Sequence, residues 1–550
     1  MNENVKVVFG LIGGLALFLY GMNSMSDALQ KAAGEKMKKI LEFLTKNPVM
    51  GALAGALVTA VLQSSSATTV MVIGFVSAGL MSLPQAISVI FGANIGTTMT
   101  AQLMAFKISD YIYPLIFIGF LLNFLGKKEK VKNIGMVIFS FGLLFEGIEI
   151  MGSVMKPLAG SPIFVDLMGK VSSIPVLGVL LGAVMTLVVQ SSSATIAVLQ
   201  SFASQAGPDG INSVIGLTGA IPLLLGDNIG TTITALLASI GQSKDAKRTA
   251  IAHSFFNITG TCVFIWIIPW FAKFVRYISP KGNEIDVISR QIANAHTTFN
   301  VVCTLVWLPL IPIMVKIVTT IIRGEDKNTG VVYEPKYLDN KVIDQPVAAM
   351  YLVSQELENL TGFTVHMLNS LKGSLNQKKT SAAYEKFKNQ LDIVQHLQEE
   401  ITDYITKLFS SGNLTELQSE QTAGLLYVTN NIERIADRCQ DIDNIWIKIQ
   451  DDGMSFSEEA GKEIENCINV LLDLLRRAMT AVKEGSEEEA ELVFKNKKKL
   501  HKAEKKFHKA HLNRERNQKC DPALTGCCSG ILYTLDRAAD NSASRASEAM

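Results

Sequence analysis

Gln63–Thr69 reads Q-S-S-S-A-T-T and interrupts a long apolar segment near the N-terminus. The phrase returns as Q-S-S-S-A-T-I at Gln190–Ile196. Each copy is followed by a second polar phrase, G-A-N-I-G-T-T at Gly92–Thr98 and G-D-N-I-G-T-T at Gly226–Thr232. The two phrases recur after 127 and 134 residues. Two dissimilar motifs that repeat in the same order at nearly the same interval indicate an internal duplication.

The composition of the 550-residue chain changes sharply near Arg323. Before it, long apolar runs dominate and the formal net charge is +8, whereas the remainder is rich in charged residues and carries −7. This pattern predicts a membrane domain over residues 1–323, a linker over 324–340 and a soluble helical domain over 341–550. Nothing in the composition suggests nucleic-acid binding, which needs a basic face with aromatic or motif support.

The apolar arms around each first phrase are too short to cross a bilayer. Val49–Leu62 and Ala67–Leu80 hold about 14 residues each, whereas a crossing helix needs about 20. Two half-length helices that meet at a polar tip predict a re-entrant hairpin, which enters and leaves by the same membrane face. Ile174–Val189 and Ala194–Ala206 predict a second hairpin of the same kind.

Longer apolar runs are predicted to cross the membrane completely. They are Val5–Met25, Gln85–Phe106, Tyr111–Gly126, Asn133–Ile150, Ser213–Gly241, Arg248–Trp270 and Thr297–Ile322. The G-A-N-I-G-T-T phrase is expected to interrupt the second of these runs. The repeats then cover about residues 5–126 and 133–270, with an extra helix at 297–322.

Basic residues between the runs predict the orientation. The positive-inside rule places Lys31–Lys46, Lys127–Lys132, Lys244–Arg248 and Arg323 in the cytoplasm. The halves then have opposite topology, and Phe271–His296 becomes an outer loop. Inverted repeats whose broken helices meet near the midplane are typical of transporters. The sequence therefore predicts an all-α, multi-pass protein of the cell (inner) membrane with a cytoplasmic C-terminal domain.

Each hairpin tip offers groups that suit a small oxyanion. The amides of Gln63 and Gln190 combine with the hydroxyls of Ser64, Ser65, Ser66, Ser191, Ser192 and Ser193. Helices that begin at about Ser65–Ala67 and Ser192–Ala194 would point free N–H groups and the positive dipole end at the tip. That arrangement binds tetrahedral anions readily.

Oxygen atoms near the tips also suit a hard cation such as Na⁺. The candidates are Gln63, Thr68, Thr69, Asn94, Thr97, Thr98, Gln190, Thr195, Asn228, Thr231 and Thr232. Because the arms contain no Lys or Arg, a bound anion needs dipoles and co-bound cations, and this requirement would couple the anion to sodium. Helix packing by small and hydroxyl residues is the alternative explanation of the serines and threonines, and plain kinks are the alternative at the asparagines.

Four intramembrane ionisable residues stand out because burial of charge in a bilayer is costly, namely Glu146, Glu149, Asp227 and His253. Asp227, whose counterpart in the first copy is Ala93, either adds charge to one cation site or lies at a water-filled vestibule. His253, beside a basic turn, is expected to be interfacial.

On these motifs the chain resembles the type II sodium–phosphate cotransporter family over about Val5–Ile322. In that family the paired Q-S-S-S motifs are implicated in phosphate and sodium binding. The resemblance implies sodium-coupled import of inorganic phosphate. It carries these roles to Gln63–Thr69, Gln190–Thr195, Asn94–Thr98 and Asn228–Thr232.

Residues beyond 341 are predicted to form six amphipathic helices in two sets of three. The third helix of each set carries a matching phrase, I-E-R-I-A-D-R at Ile432–Arg438 and L-D-R-A-A-D-N at Leu535–Asn541. This duplicated bundle resembles the PhoU domain. The resemblance implies a regulatory role and a divalent, iron or zinc site at Glu433, Asp437, Asp536 and Asp540. A solvated acidic stripe is the alternative.

The competing functional class is a membrane-anchored phosphate sensor whose tail signals to partners. A third interpretation keeps transport but uses proton coupling or another oxyanion. No nucleotide-binding loop, metalloprotease helix or catalytic triad points to an enzyme. The sequence leaves open a homo-oligomer and a cytoplasmic regulatory partner of the tail.

Overall fold

The computed structural model describes residues 3–33, 47–106, 108–159, 162–207, 209–324, 334–374, 382–484, 487–517, 521 and 523–547. The chain folds as two compact units, Met1–Lys327 and Asn328–Met550. Both are helical, and the β-structure of the described residues is one isolated bridge. The predicted all-α fold is confirmed. Most of Lys31–Lys46 and about half of the predicted linker lie outside the described residues.

The described part of the first unit contains fourteen α-helices. They are α1 (Glu3–Ala33), α2 (Pro48–Leu62), α3 (Ser65–Ser77), α4 (Leu83–Met104), α5 (Ile112–Leu125), α6 (Glu129–Ala159), α7 (Pro162–Ser173), α8 (Pro175–Val189), α9 (Ser192–Ala203), α10 (Gly216–Ala238), α11 (Lys244–Phe264), α12 (Ile268–Ile278), α13 (Glu284–Trp307) and α14 (Ile311–Ile321).

Both predicted hairpins are present, as α2–α3 and α8–α9. Pro48 and Pro175 begin their first helices, where a missing N–H costs nothing. Each hairpin packs along the helix that carries the following Asn-Ile-Gly phrase, α4 in the first half and α10 in the second. Helices α11 and α13 in turn contact both α4 and α10.

Within the described residues, four helical stretches are long and apolar enough to cross a membrane: Val5–Lys31, Glu129–Met155, Gly216–Ala238 and Lys244–Ile278. Two bent pairs raise this number to six if each pair is one span. One pair, α13 and α14, bends by 86° within the predicted crossing Thr297–Ile322. Pro309 and Pro312 lie at the bend, and proline disfavours helix both at its own position and before it.

The expected outer loop Phe271–His296 is wrong, because most of it is helical. In α12 the residues Phe271, Ala272 and Val275 are buried, while Lys273 and Arg276 are exposed. The basic residues therefore lie on the outer face of an amphipathic helix. The helical period of the apolar residues was the overlooked signal.

The expected interruption at the G-A-N-I-G-T-T phrase is also wrong, since α4 and α10 run unbroken through both Asn-Ile-Gly phrases. Their glycines permit close packing instead. A methyl group at Gly96 would lie 2.5 Å from Ala56 O, and one at Gly230 would lie 2.6 Å from Ala183 O. These G-x-x-x-G faces let α4 contact α2, and α10 contact α8, backbone to backbone.

Replacing Gly96 with Ala should lower the thermal unfolding midpoint of the detergent-purified protein, because an added methyl must push two backbones apart. Overpacking of this kind costs about 1–3 kcal/mol. Gly13→Ala is the matched control, since nothing lies within 4 Å of a methyl group there. Equal midpoints for the two variants would contradict the packing argument.

The described part of the second unit contains the six predicted helices. They are α15 (Pro346–Ser374), α16 (Ala382–Ser410), α17 (Glu416–Asp451), α18 (Glu458–Glu484), α19 (Glu487–Arg516) and α20 (Leu524–Ser547). Buried apolar residues of both sets of three form one continuous core, from Leu357 and Ile432 to Leu475 and Ile531.

Candidate functional site

The two hairpin tips share an unusual backbone conformation. Gln63 and Gln190 end α2 and α8 in the left-handed region, with φ of 51° and 55°. Within the described part of the chain, no other non-glycine residue has a positive φ. This conformation costs an L-residue about 1–2 kcal/mol. A strained glutamine at both tips, where glycine would fit more easily, points to a role for the side chain.

Ser64 and Ser191 cap the helices that follow. Ser64 Oγ accepts a hydrogen bond from Ala67 N at 3.2 Å, and Ser191 Oγ accepts one from Ala194 N at 3.3 Å. Helices α3 and α9 begin at Ser65 and Ser192, as the sequence predicts. The N–H groups of each first turn and the positive end of each helix dipole therefore lie at the tip.

The two glutamines are held differently. Gln63 is buried, its Oε1 accepts from Thr100 Oγ1 at 2.9 Å and its Nε2 donates to Ala60 O at 2.5 Å. The side chain of Gln190 is exposed. Sequence reasoning missed Thr100, although it lies two positions beyond Thr98 and recurs as Thr234 in the second copy.

A threonine pair joins the two helices of each hairpin about one turn from its tip. Thr59 Oγ1 donates to Thr68 Oγ1 at 2.8 Å, and Thr186 Oγ1 lies 3.2 Å from Thr195 Oγ1. Sequence reasoning missed Thr59 and Thr186. The signal was available, because each Thr stands four residues before its Gln, so the repeated phrase is T-x-x-x-Q-S-S-S-A-T.

The second half carries a buried carboxylate that the first half lacks. Asp227 Oδ1 accepts from Thr186 Oγ1 at 2.6 Å, and Asp227 is fully buried. Its Oδ2 has no hydrogen-bond partner among the described residues. The equivalent residue in α4 is the buried Ala93. The two hairpins are therefore chemically unequal despite their common backbone.

One hydrogen bond joins the first tip to the opposite half. Thr234 Oγ1 of α10 donates to Ser66 Oγ at 3.1 Å. Helix α3 packs against α10, and α9 packs against α4. Each hairpin therefore contacts the Asn-Ile-Gly helix of the other repeat as well as its own.

The remaining candidate residues are mostly satisfied within their own helices. Thr98 donates to Ile95 O, Thr231 to Asp227 O and Thr232 to Ile229 O, at 2.8–2.9 Å. Thr69 is fully buried and its Oγ1 has no partner in the described part of the chain. Ser65, Ser193 and Thr97 are also buried.

Helices α11 and α13 carry a third repeated phrase. It reads A-H-x-x-F-N-x-x-x-T at Ala252–Thr261 and at Ala295–Thr304, 43 residues apart. His253 Nε2 lies 3.1 Å from Asn94 Oδ1, and His296 Nε2 lies 3.3 Å from Asn228 Oδ1. Both histidines are at most 2% exposed and are enclosed by neighbouring helices. The interfacial depth expected for His253 stays a prediction.

The other contacts of Asn228 determine which atom is the donor in its hydrogen bond with His296. Asn228 Nδ2 donates to Leu224 O at 3.0 Å, so its Oδ1 is the atom that faces His296. An amide oxygen accepts only, and therefore His296 Nε2 carries the proton. Asn300 Nδ2 adds a longer contact of 3.4 Å to the same oxygen and donates to His296 O at 3.0 Å.

The threonine of each phrase contacts the Asn-Ile-Gly helix that the histidine of the same phrase does not contact. Thr261 of α11 donates to Leu225 O, and Thr304 of α13 donates to Phe91 O. Thus α11 bonds α4 through its histidine and α10 through its threonine, whereas α13 does the reverse. We call these four contacts the cross-tie. A relative displacement of α4 and α10 must break at least one of them.

His253→Leu should destabilise the purified protein by about 1–3 kcal/mol, since it leaves a buried amide oxygen without a donor. His253→Gln should cost clearly less, because a glutamine amide can place an N–H near the position of Nε2. Thermal unfolding of both variants, alone and with Asn94→Leu, measures the coupling. An effect of His253→Leu that persists undiminished in the Asn94→Leu background would contradict the assignment.

In the second unit, one of the four predicted metal ligands, Asp536, lies beside two residues outside the predicted set, His501 and Glu504. Ligand atoms of His501, Glu504 and Asp536 all lie within 4.8 Å of one another. Glu504 Oε1 is buried without a partner in the described residues. Burial, with the neighbouring Asp536 and Asp540, raises the pKa of Glu504 to about 7. This donor set fits a divalent cation.

The other predicted ligands are used differently. Glu433 accepts from Gln398 Nε2 at 3.1 Å, and Asp540 forms an ion pair with Lys497. Among the described residues no comparable group contains Glu433 or Asp437. His501 and Glu504 could have been found from their i, i+3 spacing on α19.

Purified full-length protein incubated with zinc or iron and then desalted should retain metal through His501, Glu504 and Asp536. Glu504→Ala and Asp536→Ala should lower the retained metal about tenfold or more. Asp437→Ala is the control and should leave it unchanged. Elemental analysis decides the point, and equal loss from all three variants would favour the solvated acidic stripe.

Paired half-length hairpins, strained tips and helix starts that face the tips define a class, the membrane transport proteins built on repeated broken helices. A model of the Na⁺/Pi-cotransporter family matches residues 17–153 and 147–276, and a model of the PhoU domain matches residues 357–445. The chain belongs to the Na⁺/Pi-cotransporter family of phosphate transporters and carries a PhoU domain. Both resemblances drawn from the sequence are confirmed.

Three relatives illustrate the range of the similarity. The chain is 35% identical to the uncharacterized protein YqeW of Bacillus subtilis over 48% of this chain and 84% of the relative. It is 25% identical to YjbB of Escherichia coli K12, named as a proposed inorganic phosphate export protein, over 96% of this chain and 94% of the relative. It is 38% identical to the sodium-dependent phosphate transport protein 2A of Rattus norvegicus over 17% of this chain and 15% of the relative. No solved structure gives a significant match.

Proposed function

We propose that the chain is a secondary transporter that couples inorganic phosphate to sodium at a site formed by the two tips. The observation that carries this proposal is the bond from Thr234 to Ser66, since it brings the first tip against the Asn-Ile-Gly helix of the opposite half. A site shared between the two halves is what alternating access requires. Residues 1–323 would then perform transport, and residues 341–550 would regulate it.

Phosphate would bind to the start of α3 and α9. The first-turn N–H groups of both helices, the hydroxyls of Ser65, Ser66, Ser192 and Ser193 and the amide of Gln190 provide donors for a tetrahedral anion. None of α2, α3, α8 and α9 contains Lys or Arg. Neutralisation of the anion therefore depends on helix dipoles and on cations that bind with it, which is the basis of coupling.

Sodium would bind to the oxygens beside the tips. The unpartnered Thr69 Oγ1 is a ligand candidate in the first half, and the unpartnered Asp227 Oδ2 is one in the second. A carboxylate binds a hard cation more strongly than neutral oxygens do. We infer that the second hairpin holds the tighter sodium site. The threonines that bond within their own helices contribute less directly.

The test is uptake of ³²P-phosphate into proteoliposomes with and without an inward sodium gradient. We expect sodium-driven accumulation by the wild type. Ser65→Ala and Ser192→Ala should each reduce the initial rate about tenfold or more, as loss of a charge-stabilising hydrogen bond does. Ser153→Ala, on the exposed side of α6, is the matched control and should transport normally.

Other outcomes identify the alternatives. Phosphate binding without flux would favour the sensor interpretation, whereas flux driven by a proton gradient, or flux of sulfate in place of phosphate, would change the coupling ion or the substrate. Unchanged uptake in both serine variants would contradict the tip site.

The direction of net transport has two candidates. A symporter under an inward sodium gradient imports phosphate. The relatives that match almost the whole chain are named as proposed phosphate exporters, which favours efflux as the second candidate. Efflux from phosphate-loaded proteoliposomes, measured without and with an outside-to-inside sodium gradient, distinguishes the two. The basic links favour an inner-membrane protein with a cytoplasmic PhoU domain.

A further inference from the structure

A stripe of lysines runs along α19 in the second unit. It comprises Lys495, Lys498, Lys499, Lys502, Lys505, Lys506 and Lys509, and all seven are exposed. Steps of three and four residues keep these side chains on one face of an α-helix. The stripe is about 21 Å long, at about 1.5 Å per residue. We call this face the lysine stripe.

The orientation of the lysine stripe is fixed by the opposite side of the helix. Val493, Leu500 and Phe507 are buried in the core of the second unit, so the lysines face outward. No apolar residue falls within the stripe. The near-neutral charge of the whole chain conceals this concentration of positive charge.

The ammonium groups of the stripe form no ion pair with the described residues of the unit. None of the ion pairs in the described part of the chain involves the seven lysines, whereas Lys497 beside them pairs with Asp540. Like charges three and four residues apart destabilise a helix. An anionic partner would remove this repulsion.

We propose that the lysine stripe binds the anionic headgroups of a phospholipid bilayer. Each lysine carries a point charge on a flexible side chain, which suits a mobile layer of headgroups. Recognition of nucleic-acid bases needs donors in a fixed geometry instead. The lack of apolar residues in the stripe indicates adsorption to the surface and not insertion into it. An anionic leaflet attracts basic segments of this kind.

Chain connectivity favours the bilayer over a soluble polyanion. Helix α14 ends at Ile321 in the unit that contains the membrane-spanning helices, and α15 begins at Pro346. The chain between them spans at most about 85 Å, at about 3.3–3.6 Å per residue. This linker tethers the second unit to the unit with the membrane-spanning helices, and a tether raises the effective concentration of headgroups around it.

The test uses full-length protein in nanodiscs of phosphatidylcholine, with and without phosphatidylglycerol. Brief acetylation followed by mass spectrometry reports how fast each lysine reacts. We expect the stripe lysines to react about fivefold more slowly in the anionic nanodiscs, the factor that one lysine contributes to partition. The exposed Lys386, Lys407 and Lys448 of the first bundle should react equally in both. Equal rates for the stripe in both nanodiscs would overturn the proposal.

Charge-reversal variants distinguish an effect of the lysine stripe from an effect of the protein's net charge. Lys498→Glu, Lys502→Glu and Lys505→Glu together should abolish the lipid-dependent protection of Lys495 and Lys509. The matched triple variant Lys386→Glu, Lys407→Glu and Lys448→Glu changes the net charge equally and should retain it. Thermal unfolding midpoints verify that both variants fold.

Salt and a competing polyanion complete the design. Protection should vanish at high salt, because the Debye length falls from about 10 Å at 0.1 M to about 3 Å at 1 M. Protection that persists at high salt, or that survives charge reversal of the stripe, would contradict the proposal. Protection by an added single-stranded oligonucleotide but not by phosphatidylglycerol would assign the stripe to nucleic acid instead.

Discussion

The structure of the first unit depends on one constraint, which is that polar backbone inside a bilayer must find its partners within the protein. Both hairpins turn at a tip where helices stop short of crossing. The serine caps satisfy backbone N–H groups at each tip, and the threonine pairs join the two helices about one turn away from it. Glycine faces then seat each hairpin directly on α4 or α10. Any hydrogen-bonding capacity left at the tips is available to a ligand, so the same constraint that shapes the fold also defines the candidate site.

The cross-tie connects the helices on which the two hairpins pack. Helices α11 and α13 bond both repeats through a histidine and a threonine each, so α4 and α10 are held in one relative position. A transporter must pass through at least two arrangements of its repeats. The long contacts from Thr261 and Asn300, at 3.4 Å, are the weakest in this network. The shorter contact of His253, at 3.1 Å, joins α11 of the second repeat to Asn94 of the first.

Both duplications in the chain have diverged in the same way. In the first unit one copy has Asp227 where the other has Ala93. In the second unit Asp536 lies beside Glu504 and His501, whereas the equivalent Glu433 accepts from the neutral Gln398. In both units the two copies keep the same helix arrangement, but equivalent positions have different charged neighbours.

The sequence by itself determined the features that depend on local pattern. Run length and period predicted the two hairpins, the six tail helices and both duplications, because apolar spacing directly decides which face of a helix is buried. It failed where neighbours decide. Gly92 and Gly96 suggested an unwound backbone, but the close approach of α2 explains why glycine is needed there. The charged residues of 271–296 suggested a loop, although the apolar residues among them recur with a helical period. Only the tertiary structure paired His253 with Asn94 and Ser66 with Thr234, because these partners lie 159 and 168 residues apart and meet through packing alone.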